Sequence, residues 1–522
     1  MRLDDKTHDR LVKALAQHLG KLANTRAHVY RTHISSVIVC AQYAYKLKRP
    51  VKLPFVDFST AALRRADCLR ELSLNQRTAP ALYLDVIEIT GTLEQPELHG
   101  PGEVIEYAVR MKRFKQTDLL SHIVQTNRFD AAIAANLGKH HAEFIGQLPA
   151  LSYEQASKHK PTHAWLLESL DEIRSAQPDL HTQIQAVTQW ANQRNHILQP
   201  VIKQRQRQGH YRQVHGDLHL GNLVMLKHQV VAFDALEFNP ALSQIDTIND
   251  IAFTFMDLLA HGRSDWAWAM INQWCETCGD YAGLVLLRYY TLYRAVVRAK
   301  VACLSSDDRL LARYWSLALR LIAPANTSKL ILVCGLSGSG KSTVARELVK
   351  LLSGIQLRAD VIRKHRFAKW LNQPQKLYAK TTTTQTYRAL ARLADQLLTQ
   401  NMTVIVDATF LAQEHIDLFH QLAQHHHIQL ERVSCEAPAA ILRRRIMNRL
   451  QQASDPSDAT VDVLQAQLEQ LRQHPLRWPG KGYRADTSKT RADTLRRTKE
   501  IAQRMLKSSH LAHAQLKSTK LN

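Results

Sequence analysis

The sequence predicts two domains. The first half is α+β, a small β-rich lobe followed by a helical lobe. The second half is α/β, a parallel sheet flanked by helices. Three observations carry this expectation. A chain of 522 residues exceeds one ordinary core, and 45% hydrophobic with 22% charged residues is a folded composition. The segment APANTS, residues 323–328, is a Pro/Asn/Ser joint between a helical run and the apolar run KLILVCG. Beyond the joint, strand and helix alternate, as βαβ units on a parallel sheet require; before it they do not. No repeat of solenoid length is present. The expected division is 1–322, a linker at 323–328, a second domain at 329–510 and a basic tail at 511–522.

The first half opens with a helix at about residues 6–22. ISSVIVC and YAYKLKRP follow as two β-rich runs separated by Ala41-Gln42 and read as a hairpin. The stretch STAALRRADCLRELSLNQR is helical, with Ser59 or Thr60 as its N-cap. Strands are expected around ALYLDVIEI and EVIEYAVRM, and residues 117–322 are mostly helical, interrupted by the polar loop HGDLHLGN and the short strand QVVAFD.

In the second half, Gly335-Leu336-Ser337-Gly338-Ser339-Gly340-Lys341-Ser342 fits GxxxxGK[ST] and lies between an apolar strand and the helix KSTVARELVKLL. Glycines let the backbone wrap and turn its N–H groups towards phosphate oxygens, and the helix starting near Lys341 adds the positive end of its dipole. Lys341 is expected on the β/γ-phosphates, Ser342 on Mg²⁺, with Ser337, Ser339 and Thr343 completing the nucleotide cradle. Asp360 closes IQLRAD, where ligands collect at the carboxyl edge of an open sheet, and Arg363 follows three residues on to hold charge or an acidic substrate. Asp407, ending TVIVDAT, is the candidate acid near Mg²⁺. Arg443, Arg444, Arg445 and Arg449 form a basic helical stretch able to close over phosphates; a solvated helix face is the alternative. P-loop, Asp-x-x-Arg and Arg-rich lid resemble the small P-loop kinases, the branch with polynucleotide, gluconate and zeta-toxin-like kinases, over about residues 329–510. That resemblance implies that Asp360 activates an acceptor hydroxyl.

The loop His215-Gly216-Asp217-Leu218-His219-Leu220-Gly221-Asn222 places an Asp five residues before an Asn. Phosphoryl transfer asks for these types: Asp217 to accept a hydroxyl proton and Asn222 to ligate Mg²⁺, with Asp234 at the end of QVVAFD as the main metal carboxylate. Upstream, Lys46 sits on a β-run where a lysine meets the α/β-phosphates, Lys48 has the same strand parity, and Glu71 in the next helix is a natural ion-pair partner. Asp250 in NDIAF is expected to brace the loop. A metal-binding reading of His215 and His219 lacks a third ligand.

HGDLHLGN fits the HGDxHxxN signature at every fixed position, and with THISSVIVCAQYAYKLKRPVKLPFVDFST, FDALEFNP, NDIAF and the YRAVVRAKVA helix this half resembles the aminoglycoside phosphotransferase and choline-kinase branch of the protein-kinase-like fold. With the P-loop half, the whole chain resembles the bifunctional aminoglycoside phosphotransferase/ATP-binding proteins. The resemblance implies a bilobal kinase-like domain at 1–322 fused to a P-loop NTPase, Asp217 as base, Asn222 and Asp234 as metal ligands, and ATP with Mg²⁺ as cofactors. The turn Cys40-Ala41-Gln42-Tyr43 carries no glycine.

Net charge is +23, and residues 471–522 hold thirteen Lys/Arg against three Asp/Glu. This balance favours anionic ligands. Nucleic acid is a possible but less favoured partner, since the basic tail interleaves only Trp478 and Tyr483. The expected reaction is transfer of the γ-phosphoryl group of ATP to a small hydroxyl-bearing molecule. The alternatives are a nucleic-acid-end or nucleotide kinase in the second half, or a regulatory ligand-binding first half. Seven dispersed cysteines suggest reduced thiols; Cys275 and Cys278 lack the second pair that a zinc site needs, and Gly279 closes their helix. MRLDDKTHDR lacks a signal-peptide pattern, and no apolar run reaches the roughly 18–20 residues that span a bilayer, so a cytoplasmic location is expected.

Overall fold

The computed structural model describes residues 4–53, 56–126, 130–324, 328–452 and 458–518, with the side chains of 450, 452 and 508–518 outside the description. Contacts divide the chain into two compact units. The first comprises 1–133, 143–261 and 289–318; the second comprises 134–142, 262–288 and 319–522. Part of the expected linker, residues 325–327, lies outside the described residues.

The first unit begins with α1 (Asp5–Leu22), capped by the Asp4 carboxylate, which accepts from the Thr7 N–H. Leu11, Leu15 and Leu19 of α1 pack on one face of a sheet formed by β1 (His28–Arg31), β2 (Ser35–Cys40), β3 (Tyr43–Lys48), β4 (Tyr83–Gly91), β5 (Pro96–Leu98) and β6 (Val104–Lys112). The order is β1-β2-β3-β6-β4-β5, antiparallel throughout. On the opposite side lies α2 (Ala61–Gln76), whose N-cap is Thr60. The sequence does not announce β1, because all four of its residues are exposed and show no alternation. With β1 in place, the turn between the first two strands is Thr32-His33-Ile34, not Cys40–Tyr43, and Lys46 falls on the third strand. A helical lobe follows, carrying the hairpin β7 (Leu223–Leu226) and β8 (Gln229–Ala232) and the buried helix α3 (Thr247–Ala260). This is the β-rich lobe followed by a helical lobe that the sequence predicts.

The second unit holds five strands, β9 (Leu330–Cys334), β10 (Gly354–Arg358), β11 (Thr403–Asp407), β12 (Leu430–Glu436) and β13 (Lys481–Asp486). They pair in parallel in the order β10-β11-β9-β12-β13. Every residue of the central strand β9 and of β10, at one edge of the sheet, is buried, as strands covered on both faces demand. Burying each large aliphatic side chain of this core contributes about 1.5–3 kcal/mol. A helix from the first half of the sequence, α4 (Ser264–Cys278), belongs to this unit; Gly279 at φ 77° closes it. Gly138 lets this helix come close, since a Cβ there would stand 2.1 Å from the Met270 carbonyl oxygen. The helices α5 (Lys341–Leu352) and α6 (Ala359–Arg366) follow β9 and β10. Asp360 therefore stands in the first turn of α6, two residues past the strand it was expected to end.

Candidate active sites

In the first unit, β3 and α2 bring a lysine and a glutamate together. The Lys46 ammonium donates to Glu71 Oε1 at 2.8 Å and to Asp234 Oδ1 at 2.5 Å. Burial alone would lower the Lys46 pKa, but Asp234 and Glu71 outweigh it and hold the ammonium well above the ordinary lysine value. Lys46 keeps 12% of its side chain exposed and Asp234 keeps 42%, so both border solvent. Lys48, two residues on, is fully buried against Asp67, Glu71 and Glu237. Burial, reinforced by Glu71 and Asp67, pushes the Glu237 carboxyl up to about 7 despite Lys48. The two lysines thus divide into an accessible one and a buried one. Neither Asp67 nor Glu237 was singled out from the sequence, although Glu237 lies three residues past Asp234.

The HGDLHLGN loop is fixed from behind by α3. Asp250 accepts from the backbone N–H groups of Gly216 at 2.8 Å and His215 at 3.4 Å. Asp257, two turns further along the same helix, accepts from Leu220 N–H at 2.9 Å and from the Tyr314 hydroxyl at 2.9 Å. The i, i+7 spacing of these two acids was the signal available for Asp257. The Asn222 amide donates to Asp217 Oδ2 at 2.8 Å and to the Asp217 carbonyl at 3.0 Å. Burial, the largest influence, lowers the pKa of both His215 and His219. Among the described residues neither joins a group of metal-type ligands. Asp234 adopts φ 61°, a left-handed backbone that Asp tolerates better than most residues, and its N–H donates to the Tyr83 hydroxyl at 3.2 Å. Burial would raise the Asp234 pKa, but Lys46 holds it below the ordinary carboxylate value.

In the second unit the loop after β9 has the geometry its glycines imply. Gly335 has φ 141°, and a Cβ there would approach the Cys435 carbonyl oxygen to 2.5 Å; Gly338, at φ 79°, would meet the Leu442 carbonyl oxygen at 2.8 Å. Gly340, with φ 81°, precedes α5, so Lys341, Ser342 and Thr343 form its first turn. A cavity of about 1360 Å³ opens over Ser337, Gly338, Lys341 and Ser342 and extends to Asp360 and Asp407. The Lys341 ammonium donates to the Leu336 carbonyl at 3.0 Å, across the loop. Ser337 is held by Gln467 from the helix Val461–Gln473, which accepts from its N–H at 2.9 Å and donates to its hydroxyl at 3.0 Å. The buried Ser339 side chain lies within the loop. Of the arginine cluster, Arg445 and Arg449 line the cavity, whereas Arg444 is exposed, one residue and about 100° round the helix. Arg445 donates to the Thr487 carbonyl at 2.5 Å and Arg449 to the Ala459 carbonyl at 2.8 Å. Arg363 pairs with Asp360 at 3.1 Å and stacks over the Tyr378 ring at 4.9 Å. Asp407 accepts from the Gln356 amide at 2.9 Å and lies 3.6 Å from Arg358 Nε. Sequence reasoning missed Gln356, Arg358 and Gln467, whose roles depend on tertiary pairing.

Residues 330–474 match the family model described as an AAA domain. An uncharacterized protein of Mycobacterium tuberculosis (strain ATCC 25618 / H37Rv) is 28% identical over 487 residues, spanning 88% of this chain and 92% of its own. Among solved structures, a gluconokinase from Sinorhizobium meliloti 1021 is 17% identical, covering 36% of this chain and 98% of its own, with a TM-score of 0.28. The GDP complex of aminoglycoside 2'-phosphotransferase-IIIa is 13% identical, covering 60% of this chain and 97% of its own, with a TM-score of 0.38. The P-loop assignment rests on the motif, the strand–loop–helix geometry and the AAA domain match together. Among the described residues no helix is long and apolar enough to cross a membrane.

Proposed function

We propose that this chain is an ATP- and Mg²⁺-dependent phosphotransferase with two nucleotide sites, one within 1–322 and one within 329–510, and that it transfers γ-phosphoryl groups to hydroxyl groups of small molecules. The observation that carries the reading is that Lys46 meets Glu71 and Asp234 in one unit, and that the braced pair Asp217–Asn222 is tied to the Asp234 segment by the Phe233 N–H, which donates to the Asn222 carbonyl at 3.0 Å. In the other unit, a cavity is lined by Lys341, Ser342, Asp360 and Asp407.

Magnesium suits the donors present, which are hard oxygens: Asn222 and Asp234 in the first unit, Ser342 and Asp407 in the second. When bound, the ion supplies charge neutralisation at the phosphates. The protein's own contribution is positional. Lys46 directs its ammonium at the phosphates while Glu71 holds it. Asp217, kept in place by Asn222 and by the α3 carboxylates, takes the acceptor's hydroxyl proton. In the second unit Lys341 and Arg445 or Arg449 neutralise the phosphates, Asp360 accepts the proton, and Arg363 orients Asp360.

A cytoplasmic location is supported by the seven dispersed cysteines, whose number and spacing suit a reducing compartment. A small hydroxylated acceptor is favoured over nucleic acid, because the basic tail has few aromatic residues to stack bases. Labelled-phosphate transfer from ATP into a metabolite extract, with wild type, Asp217→Ala and Lys341→Ala, tests the proposal. Labelled products that disappear selectively with each variant support it. A wild type that labels nothing, with variants that hydrolyse ATP as it does, refutes it.

A further inference from the structure

In the sheet of the second unit β10 is an edge strand, which leaves a row of backbone groups without a neighbouring strand. Helix α4 covers part of that edge. The Asn272 side chain donates to the Gly354 carbonyl at 2.9 Å and accepts from the Gln356 N–H at 2.6 Å. These are the acceptor and donor that a paired strand would have used, and one carboxamide satisfies both. One helical turn on, Glu276 Oε1 accepts from Arg358 Nη1 at 2.5 Å.

Gln356 and Arg358 point to the same side of β10, being two residues apart. Both reach Asp407: Gln356 through its amide at 2.9 Å and Arg358 through Nε at 3.6 Å. Both residues are also held by α4, Gln356 through its backbone N–H on Asn272 and Arg358 through Glu276. Arg358 and Asp407 are 3% and 4% exposed, so their interaction is little screened by water. As long as Glu276 takes up one side of the guanidinium, the charge of Arg358 is shared between two carboxylates.

We propose that Glu276, with Asn272, is a positioning residue of the P-loop site. It draws the Arg358 charge away from Asp407 and so keeps that carboxylate available to Mg²⁺. The inference rests on the reading of Asp407 as a metal ligand. Without the Glu276 charge, the whole Arg358 charge acts on Asp407 and competes with the cation.

The test uses the full chain carrying Lys46→Met, which weakens the other nucleotide site, and follows ATP binding by calorimetry as Mg²⁺ is titrated. Adding Glu276→Gln is expected to raise the Mg²⁺ concentration at half-saturation about tenfold, equivalent to 1.4 kcal/mol. Adding Arg358→Gln to that variant removes the competing guanidinium and is expected to bring the Mg²⁺ dependence back towards the parent. A merely structural role would lower the melting temperature without moving the Mg²⁺ half-point and would not be rescued by a second substitution. A folded Glu276→Gln chain with the parent's Mg²⁺ dependence overturns the inference, as does failure of the rescue. Should Glu276→Gln not fold, Glu276→Asp provides the same readout, with a smaller shift expected and an absent shift again overturning the inference. A parent that binds no ATP at any Mg²⁺ concentration overturns both this inference and the P-loop reading; a binding parent with an unmoved variant overturns the positioning alone.

Discussion

The two lysines of β3 make opposite demands on the protein. Lys46→Met should abolish phosphoryl transfer by the first unit with a modest effect on stability, and Lys48→Met should destabilise that unit severely. Lys48 is 0% exposed and lies 2.8 Å from Asp67 and 2.7 Å from Glu71, with Glu237 also in contact. At an effective dielectric of about 20, each of those attractions is about 6 kcal/mol gross before desolvation. Removing the lysine takes away the cation shared by three buried carboxylates, of which Glu71 keeps Lys46 and Asp67 keeps Arg70, and breaking such a buried pair costs about 3–5 kcal/mol. In a unit of this size that corresponds to a fall in melting temperature of roughly 10 °C. Lys46 is partly exposed beside a partly exposed Asp234, so its removal is less costly. Thermal denaturation followed by circular dichroism, paired with a transfer assay, separates the two. A Lys48→Met chain as stable as wild type, or a Lys46→Met chain with undiminished transfer, would refute the division of roles.

Three further outcomes follow from the same geometry. Asp217→Asn should lower transfer by the first unit about 10²–10⁴-fold while ATP affinity, measured by calorimetry, stays near wild type. Asp250→Ala, which frees the Gly216 and His215 N–H groups, should lower the turnover of that unit more than it raises KM for ATP, because it disturbs the loop and not the lysine. Burial, aided by Arg64, lowers the pKa of the fully buried His8 to about 4. The neutral imidazole is therefore the folded form: stability is fully present above about pH 6.5 and declines as pH falls towards 4, by about 3 kcal/mol in all. Urea denaturation of wild type and His8→Gln across that range should show the extra slope in wild type alone.

Much of both candidate sites was legible because the motifs are local. A phosphate loop is a strand, a glycine-rich turn and a helix start within fifteen residues, and HGDLHLGN carries its Asp and Asn on one loop. Lys46 and Glu71 were legible for a second reason, since strand parity and the order strand-then-helix place them together. The illegible parts depend on tertiary context. Strand β1 has no buried residue and so no pattern to read. Lys46 and Lys48 share parity, and only the packing of α2 and Glu237 decides which is buried. The placement of 262–288 in the P-loop unit depends on packing such as that of Asn272 and Glu276 on β10, more than eighty residues away in sequence. The basic run 443–449 reads as a uniform face, whereas helical rotation turns Arg445 and Arg449 to the cavity and Arg444 to solvent.

Calorimetric titration of the full chain with ATP in the presence of Mg²⁺, run beside Lys341→Ala, tests the central claim of two separate phosphate-handling sites. Wild type should show two binding events and Lys341→Ala one, with the surviving event removed by adding Lys46→Met. A wild type with no Mg²⁺-dependent binding, or a Lys341→Ala isotherm identical to that of wild type, would contradict the account.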